Sequence, residues 1–297
     1  NQPISMIAQN MNVLQSTAAA AERVFEFLGE EEEVAECAHP VEIFDAQGNT
    51  SIQGQVTFEN VHFGYTLDKI IIHDFSMYIK PGKKIAIVGP TGAGKTTIIK
   101  LLMRFYELNS GAIYIDGIKT TDMRRKDLRS LFGMVLQDAW LFNGTVMENL
   151  RYGKLDATDE EVIRAADAAY VDHFIRTLDH GYDTVINEES SNISQGQKQL
   201  LTIARAFLAD PKILILDEAT SSVDTRTEVL IQKGMDKLME NRTSFVIAHR
   251  LSTIRDADLI LVMKDGDIVE AGNHEELMQA DGFYTQLYNS QFDAEEE

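Results

Sequence analysis

The 297-residue chain has 47 acidic against 27 basic residues, so its formal net charge at pH 7 is −20. We therefore expect no nucleic-acid partner and no binding to anionic membrane surfaces, since both require a basic face. The hydrophobic fraction of 44% suffices for a globular core, and no apolar run reaches the roughly 18 residues that a membrane span needs. The single cysteine, Cys37, excludes an internal disulfide, and the seven histidines lack metal-ligand spacing.

The N-terminal region divides into a predicted helix and a predicted linker. Residues 1–33 form the helical extension, because apolar residues recur at helical spacing from Ile4 to Leu28. This stripe fits a helix packed in a core and, equally, an extension that reaches a segment outside the given sequence. Residues 34–53 show no sustained period and contain a proline and a glycine, which predicts a linker. The chain begins at Asn1 rather than methionine, which indicates a fragment of a longer protein.

Residues 55–80 alternate apolar and polar side chains, which predicts antiparallel strands joined in a hairpin. Tyr65 lies in the turn that follows the first strand. Its aromatic ring could stack on a nucleobase or pack against neighbouring side chains, and the residues alone leave both interpretations open.

A phosphate-binding pattern lies within residues 85–105. A short apolar run predicts a buried strand, Gly89-x-x-x-x-Gly94-Lys95-Thr96 comes next, and helical spacing follows. The glycines allow backbone N–H groups to close around phosphate oxygens. Lys95 would reach the β- and γ-phosphates and the Thr96 hydroxyl would bind Mg²⁺, while the helix start adds positive charge. Because strand, glycine loop and helix occur in the order that the motif requires, we predict nucleotide binding.

The middle of the chain is predicted to contain short strands and helices. The expected elements are a strand and turn at 111–117, a strand at 132–137, and helices at 145–151, 158–170 and 194–208. Thr158 with Glu161, and Ser194 with Gln197, have the spacing of capping boxes at helix starts. On this pattern alone, Ser194 is a helix cap.

Two adjacent carboxylates end a predicted strand at residues 212–216. Asp217 and Glu218 follow this strand. We expect the strand to lie beside the P-loop strand, which is the buried strand that precedes the phosphate-binding glycine loop. Asp217 would hold Mg²⁺, directly or through water, and Glu218 would accept a proton from the attacking water. Because neighbouring residues of a strand point in opposite directions, the two carboxylates can serve different partners.

The C-terminal part continues the alternation of helices and strands. The expected elements are a helix at 225–239, a strand at 244–248, a hairpin at 259–269, a helix near 275–278 and an acidic tail at 292–297. Asp224 precedes the first of these helices and fits an N-cap. His249 follows the strand, and a polar residue at the carboxyl end of a parallel strand faces the ligand crevice.

Taken in order, these motifs resemble the nucleotide-binding domain of an ABC transporter over about residues 56–291. The resemblance rests on Tyr65, GPTGAGKT, Gln137, the signature ISQGQKQL, ILILDE, SSVD and His249 in AHRLSTI. The signature separates ABC ATPases from other P-loop enzymes. The resemblance implies an α/β fold, namely a P-loop NTPase with a RecA-like core, an antiparallel β subdomain and an inserted α-helical subdomain at about 138–205. The ATPase domain would then span residues 54–291.

The resemblance also implies roles for individual residues, with ATP and Mg²⁺ as cofactors. Tyr65 would stack on adenine, and Asp224 would communicate between two domains. Glu218 resembles the catalytic base, His249 the switch that holds the γ-phosphate, and Gln137 the residue that contacts Mg²⁺ and water. The phosphate cradle would comprise Gly89, Thr91, Gly92, Ala93, Gly94, Lys95, Thr96 and Thr97; Mg²⁺ would be bound by Thr96, Gln137 and Asp217; and Ser194, Gly196 and Gln197 would contact the ATP held by a second domain.

The implied partners are a second ABC nucleotide-binding domain and a membrane domain. Each chain would carry half of each ATP site, so ATP would join two such domains, whether identical or different. The segment WLFNGTVMENLRYG and the ending DGFYTQLYNSQF resemble exporter-type half transporters of the multidrug or lipid type. In those proteins the membrane domain precedes the ATPase in one chain. Residues 1–33 would then include the cytoplasmic end of the last membrane helix, with the ATPase at the cytoplasmic face of the cell membrane.

The signature departs from the family pattern LSGGQ at two positions, Ile193 and Gln195. Ser194, Gly196 and Gln197 are retained, and we expect them to maintain a working signature. Two other classes of protein fit the sequence less well. A soluble ABC ATPase of DNA or ribosome function is disfavoured by the acidic charge and the single cassette, and a P-loop kinase or GTPase is disfavoured by the signature.

Overall fold

The computed structural model describes residues 1–66, 69–136, 139–187, 193–217, 223–247 and 251–292, in two compact units, Asn1–Ala35 and Glu36–Glu297. The strands are β1 (Val56–Phe63), β2 (Ile72–Ile79), β3 (Lys84–Val88), β4 (Ser110–Ile115), β5 (Ile118–Lys119), β6 (Phe132–Val135), β7 (Gly144–Thr145), β8 (Val185–Ile186), β9 (Ile213–Asp217), β10 (Thr243–Ile247), β11 (Leu259–Lys264) and β12 (Asp267–Gly272). The helices are α1 (Gln2–Leu28), α2 (Lys95–Leu102), α3 (Arg125–Ser130), α4 (Val146–Arg151), α5 (Asp159–Ala168), α6 (Asp172–Thr177), α7 (Gln195–Ala209), α8 (Thr225–Met239), α9 (Leu251–Arg255), α10 (His274–Gln279) and α11 (Phe283–Phe292).

The first unit consists of α1 and the residues that follow it. The helix ends at Leu28, with Gly29 as its C-cap, within the predicted helical extension of residues 1–33. The glutamates at 30–33 repel one another and are disfavoured at the negative end of a helix dipole, so the helix does not continue through them. No residue of α1 is buried, so the apolar stripe is not packed in a core within this unit. Across the described residues, no helix combines the length and hydropathy needed to cross a membrane.

The main sheet of the second unit has the strand order β12-β11-β3-β10-β9-β6, and all its strands are parallel except the edge strand β12. The expectation that β9 lies beside the P-loop strand β3 is wrong, because β10 pairs with both and separates them. Crossover connections allow a later strand to enter between two earlier ones, and the order of motifs along the chain does not reveal this. Ile247 is paired with both Ile87 and Asp217, so β3, β10 and β9 end near one level at the same edge.

Alternate side chains of the parallel strands enter two separate cores. In β9, Ile213 and Ile215 belong to one hydrophobic cluster, whereas Leu214 and Leu216 belong to the other. This follows from the two-residue period of a strand and from layers that cover both faces of a parallel sheet. The sheet is therefore the middle layer of the unit.

A second, antiparallel sheet covers one face, with the strand order β2-β1-β4-β5. Buried residues of β1 share a hydrophobic cluster with α2 and with one face of the main sheet. The predicted hairpin of residues 55–80 is confirmed by the pairing of β1 with β2, and the expected antiparallel β subdomain is present.

The opposite face carries the helical layer, in which α7 packs against α4, α5, α8 and β6. Thr145 and Thr158 begin α4 and α5 through complete capping boxes, as the sequence predicted for Thr158. The sequence reading did not predict α3, α6 and α11. The first two span six residues each, too short to show helical periodicity, whereas α11 does place Phe283, Tyr284, Leu287 and Tyr288 at helical spacing against the core, a signal that the sequence reading missed.

The segment predicted as a linker is partly held against the second unit. Ile43 and Ile52 are buried in the cluster beneath the antiparallel sheet. Val41 N–H donates to the Asp122 carbonyl at 2.8 Å, and Glu42 forms an ion pair with Arg124. The compact unit accordingly begins at Glu36, whereas the sequence reading placed the start of the ATPase domain at residue 54.

Candidate functional site

The glycine loop joins the end of β3 to the start of α2, as predicted. Gly89 has φ +148°, and a Cβ atom there would overlap the Met263 carbonyl oxygen on β11. Gly94 has φ +101° and is the N-cap of α2. Since L-residues rarely adopt these backbone conformations, glycine is required at both positions. The loop therefore brings its backbone to the carboxyl edge of the sheet, where the N-terminus of α2 attracts anions.

Lys95 folds back over this loop. Its Nζ donates to the carbonyl oxygens of Gly89 at 2.6 Å and Pro90 at 3.0 Å. Burial lowers the pKa of Lys95, and the Asp217 carboxylate at the end of β9 partly offsets this effect. Lys95 and Asp217 thus lie in one electrostatic environment, although β3, which leads to Lys95, and β9, which ends at Asp217, are not neighbours in the sheet.

The remaining cradle residues differ in exposure. Thr91, Gly92 and Thr96 are exposed, so they are accessible to a ligand. Ala93 is buried, and its carbonyl accepts a hydrogen bond from Gly266 N–H at 3.2 Å, which ties the loop to the turn between β11 and β12. The loop is consequently fixed at its base and open at its tip.

Tyr65 lies beside α2, and 45% of the residue's surface is exposed. It makes an edge-to-face contact with Phe63 at a centroid distance of 5.0 Å, and its hydroxyl lies 3.3 Å from Thr97 Oγ1. Thr97 is buried in the first turn of α2. Tyr65 therefore packs against its neighbours and still presents nearly half of its surface near the glycine loop.

The start of α7 has the capping box that its sequence predicted. Gln197 N–H donates to Ser194 Oγ at 3.3 Å, and Ser194 N–H donates to Gln197 Oε1 at 2.9 Å. Ser194 and Gln195 are both exposed. The helix therefore begins at the surface, with the substituted residue Gln195 directed to solvent rather than into the core.

Gly196 is buried where α7 approaches the start of α8. A Cβ atom at this position would lie 2.5 Å from Thr227 Cγ2 and 2.7 Å from Val223 Cγ1. Thr227 N–H donates to Asp224 Oδ1 at 3.0 Å, and this bond caps α8 and lowers the pKa of Asp224. Thr227 thus contacts both residues: its side chain lies against Gly196, and its N–H donates to Asp224. Sequence reasoning assigned Gly196 to ligand contact only, and did not detect this packing role.

Replacing Gly196 by alanine is expected to destabilise the fold by about 1–3 kcal/mol, because the added methyl group overpacks the contact with α8. Gly234 provides a matched control, since it lies within α8 and its Cβ would make only ordinary contacts of 3.5 Å or more. Gly234→Ala is expected to stabilise the protein by up to about 1 kcal/mol through helix propensity. Urea unfolding of both variants measures the difference, and equal stability would contradict the packing role.

A second surface feature, an aromatic groove, was not detected by sequence reasoning. A cavity of about 360 Å³ lies between β6 and α7. Trp140 and Tyr152 line it and are 62% and 58% exposed. Arg205 holds the groove together by donating at 2.6 Å to the carbonyl oxygens of Trp140 and Asn149, and burial lowers its pKa to about 10. Large exposed apolar groups that are fixed in this way mark interaction surfaces.

Three predicted site residues, Gln137, Glu218 and His249, lie outside the described residues. In the chain they come shortly after β6, β9 and β10, which are parallel strands of the main sheet. Their roles remain predictions.

Comparison with known proteins gives consistent similarities. The family described as ABC transporter matches residues 72–221. A fatty acid ABC transporter ATP-binding/permease protein of Mycobacterium bovis is 54% identical over 97% of this chain and 44% of its own length. An uncharacterized ABC transporter ATP-binding protein of Bacillus subtilis, YfiC, is 50% identical over 98% of this chain and 47% of its own length. A solved structure of a bacterial Atm1-family ABC exporter with ATP bound aligns with a TM-score of 0.80 and 39% identity, over 98% of this chain and 50% of that one. The chain thus spans half or less of the length of these relatives.

Proposed function

This chain belongs to the ABC transporter family as an ATP-binding domain that hydrolyses ATP, and from that premise we propose that it is the motor of a membrane exporter. The observation that supports this most directly is the presence of two anion-attracting helix starts in one domain, at α2 and at α7. The glycine loop at α2 can hold a triphosphate, and Ser194 at α7 presents a second anion-attracting start to the surface. ATP held by one domain would meet Ser194, Gly196 and Gln197 of a second domain, a copy of this chain or a related one.

Within one domain we propose the following division of roles. The base stacks on Tyr65, and the phosphates lie on the loop from Gly89 to Thr97. The Thr96 hydroxyl and the Asp217 carboxylate are hard oxygen donors at one edge of the sheet, which fits Mg²⁺. Mg²⁺ would supply charge neutralisation on the phosphates, and Lys95 would donate to their oxygens once it leaves its own carbonyl partners.

The chemical step is proposed to be in-line attack of water on the γ-phosphorus, which breaks the bond to the β,γ-bridging oxygen and yields ADP and inorganic phosphate. Glu218 would accept a proton from this water, Gln137 would orient it, and His249 would donate to the γ-phosphate. Cleavage removes the group that both domains hold. ATP binding and hydrolysis then close and open the pair of domains.

Dimerisation supplies the test of the split site, in a Glu218→Gln background that blocks turnover. Ser194→Ala is expected to weaken Mg·ATP-dependent dimerisation about 10-fold or more, since a hydrogen bond to a charged phosphate is lost. The ATP affinity of the monomer is expected to change less than about 2-fold, because that ATP lies on another surface. Analytical ultracentrifugation measures the first quantity and equilibrium dialysis the second.

Thr158→Ala is the matched control, because it removes a capping box of the same kind from α5. Both variants lose about 1 kcal/mol of helix capping, but only Ser194→Ala should affect dimerisation. A collapse of monomer affinity in Ser194→Ala would place Ser194 in its own domain's site and overturn the split-site proposal.

We propose that the aromatic groove between β6 and α7 receives the membrane domain. Leu136 and Ala139 line the groove and flank position 137 in the chain, so occupancy of the groove would influence the residue that orients the attacking water. Residues 1–33 would be the cytoplasmic end of the last membrane helix, which accounts for an exposed apolar stripe with no partner among the described residues of that unit. Residues 54–291 would form the ATPase domain at the cytoplasmic face of the cell membrane.

A further inference from the structure

Tyr106 lies against Tyr65 in a compact aromatic cluster. The two rings make an edge-to-face contact with centroids 5.0 Å apart and planes at 83°. Tyr106 also contacts Phe63, at 5.6 Å, and it is 42% exposed. Tyr65 therefore contacts both Phe63, at the end of β1, and Tyr106, in the turn after α2.

The turn that carries Tyr106 is anchored by charged side chains. Arg104 is only 5% exposed, and its Nε donates to Glu107 Oε1 at 2.9 Å. The same carboxylate oxygen accepts from Arg125 Nη2 at 2.7 Å. Tyr106 lies between Arg104 and Glu107 in the chain, so its backbone is fixed on both sides. Buried charged hydrogen bonds of this kind hold a backbone more firmly than a surface ion pair does.

A shared cation links the two tyrosine rings. Lys100 Nζ, on α2, lies 5.7 Å from the centroid of Tyr65 and 5.9 Å from that of Tyr106. Both distances are within the range of cation–π attraction. The orientation of Tyr65 is thereby coupled to α2, the helix that begins at the glycine loop.

We propose that Tyr106 is a positioning residue for the nucleobase: it fixes the ring of Tyr65 so that the base meets a preoriented face. This inference rests on the proposed function, in which the base of ATP stacks on Tyr65. A loose Tyr65 ring would have to be ordered when ATP binds, and that ordering weakens affinity. Tyr106 would thus act on base recognition without touching the phosphates.

The test compares Tyr106→Leu with Tyr106→Phe. Loss of the aromatic pair in Tyr106→Leu is expected to raise KM for ATP about 2- to 10-fold with kcat unchanged. Tyr106→Phe keeps the ring and is expected to have the same KM for ATP as the unsubstituted protein. Inorganic tripolyphosphate, which has no base, should inhibit both variants and the unsubstituted protein equally. Thermal unfolding checks that Tyr106→Leu remains folded.

A double-mutant cycle with Tyr65→Ala decides whether Tyr106 acts through Tyr65. Tyr65→Ala is expected to weaken ATP binding about 5-fold or more through lost stacking. If Tyr106 only positions Tyr65, then Tyr106→Leu adds no further change in the Tyr65→Ala background. Additive effects, a fall in kcat, or weaker tripolyphosphate inhibition would overturn the inference. No ATP binding by the unsubstituted protein, or no effect of Tyr65→Ala, would instead refute the proposed function.

Discussion

Lys95→Met is expected to reduce kcat for ATP hydrolysis about 10²–10³-fold, the usual effect of removing one preorganised donor from a developing negative charge. ATP affinity should fall about 10- to 100-fold as well, because a charge-assisted hydrogen bond to phosphate is lost. Methionine keeps the length and apolar stem of lysine, so the comparison isolates the ammonium group. Lys95 is partly buried, which lowers its pKa, and a charge that is partly removed from water interacts more strongly with a nearby phosphate.

The same variant must be checked for a purely structural effect. Lys95 Nζ donates to the carbonyl oxygens of Gly89 and Pro90 within the loop, so its loss could loosen the loop. Lys154→Met is the charge-matched control, since Lys154 pairs with Glu161 on the helical layer. The control should retain full activity. ATP affinity in Lys95→Met equal to that of the control would show that Lys95 does not bind phosphate.

The phosphate loop and its supports were predictable because each has a strong local signal. A run of apolar residues marks β3, and helical spacing marks α2 immediately after the glycines. Capping boxes likewise identified the starts of α5 and α7 correctly. In each case the interactions that decide the structure lie within a few residues of one another in the chain.

Features that depend on distant pairing were not predictable in this way. Nothing in the residues of β10 states that it lies between β3 and β9, because β3 is far earlier in the chain, with β4 to β9 intervening, and pairs with β10 only in the folded sheet. The aromatic groove requires Arg205 of α7 to meet Trp140 and Asn149, which are more than 50 residues earlier in the chain. Burial of Ile43 and Ile52 within a segment that lacks periodicity has the same origin.

The contact of α7 with α8 adds a mechanical element to the candidate site. Gly196, in the first turn of α7, lies directly against Thr227, whose N–H donates to the N-cap residue Asp224 of α8. A displacement of either helix start would therefore be transmitted to the other, because the backbone of Gly196 is in close-packed contact with Thr227 and close-packed contacts are barely compressible. Under the proposed function, Ser194 and Gly196 would face the ATP of a second domain and Asp224 would communicate across the interface. The contact between α7 and α8 joins these residues into one rigid unit.

Glu218→Gln is expected to lower the rate of ATP hydrolysis about 10²–10⁴-fold, the usual contribution of a positioned general base. Glutamine has nearly the same size as glutamate, so binding of Mg·ATP should be preserved, and the dimer with ATP should accumulate because the step that separates the domains is blocked. Single-turnover hydrolysis measures the chemical step, and sedimentation in Mg·ATP measures the dimer.

Glu240→Gln, at the C-terminal end of α8, makes the same carboxylate-to-amide change at an exposed position and should hydrolyse ATP at the original rate. A Glu218→Gln protein with unchanged turnover would remove Glu218 from the reaction. A protein with reduced turnover that stays monomeric in saturating Mg·ATP would retain the base but refute ATP as the link between two domains. The two measurements thus separate the chemistry of the site from the motion that it is proposed to drive.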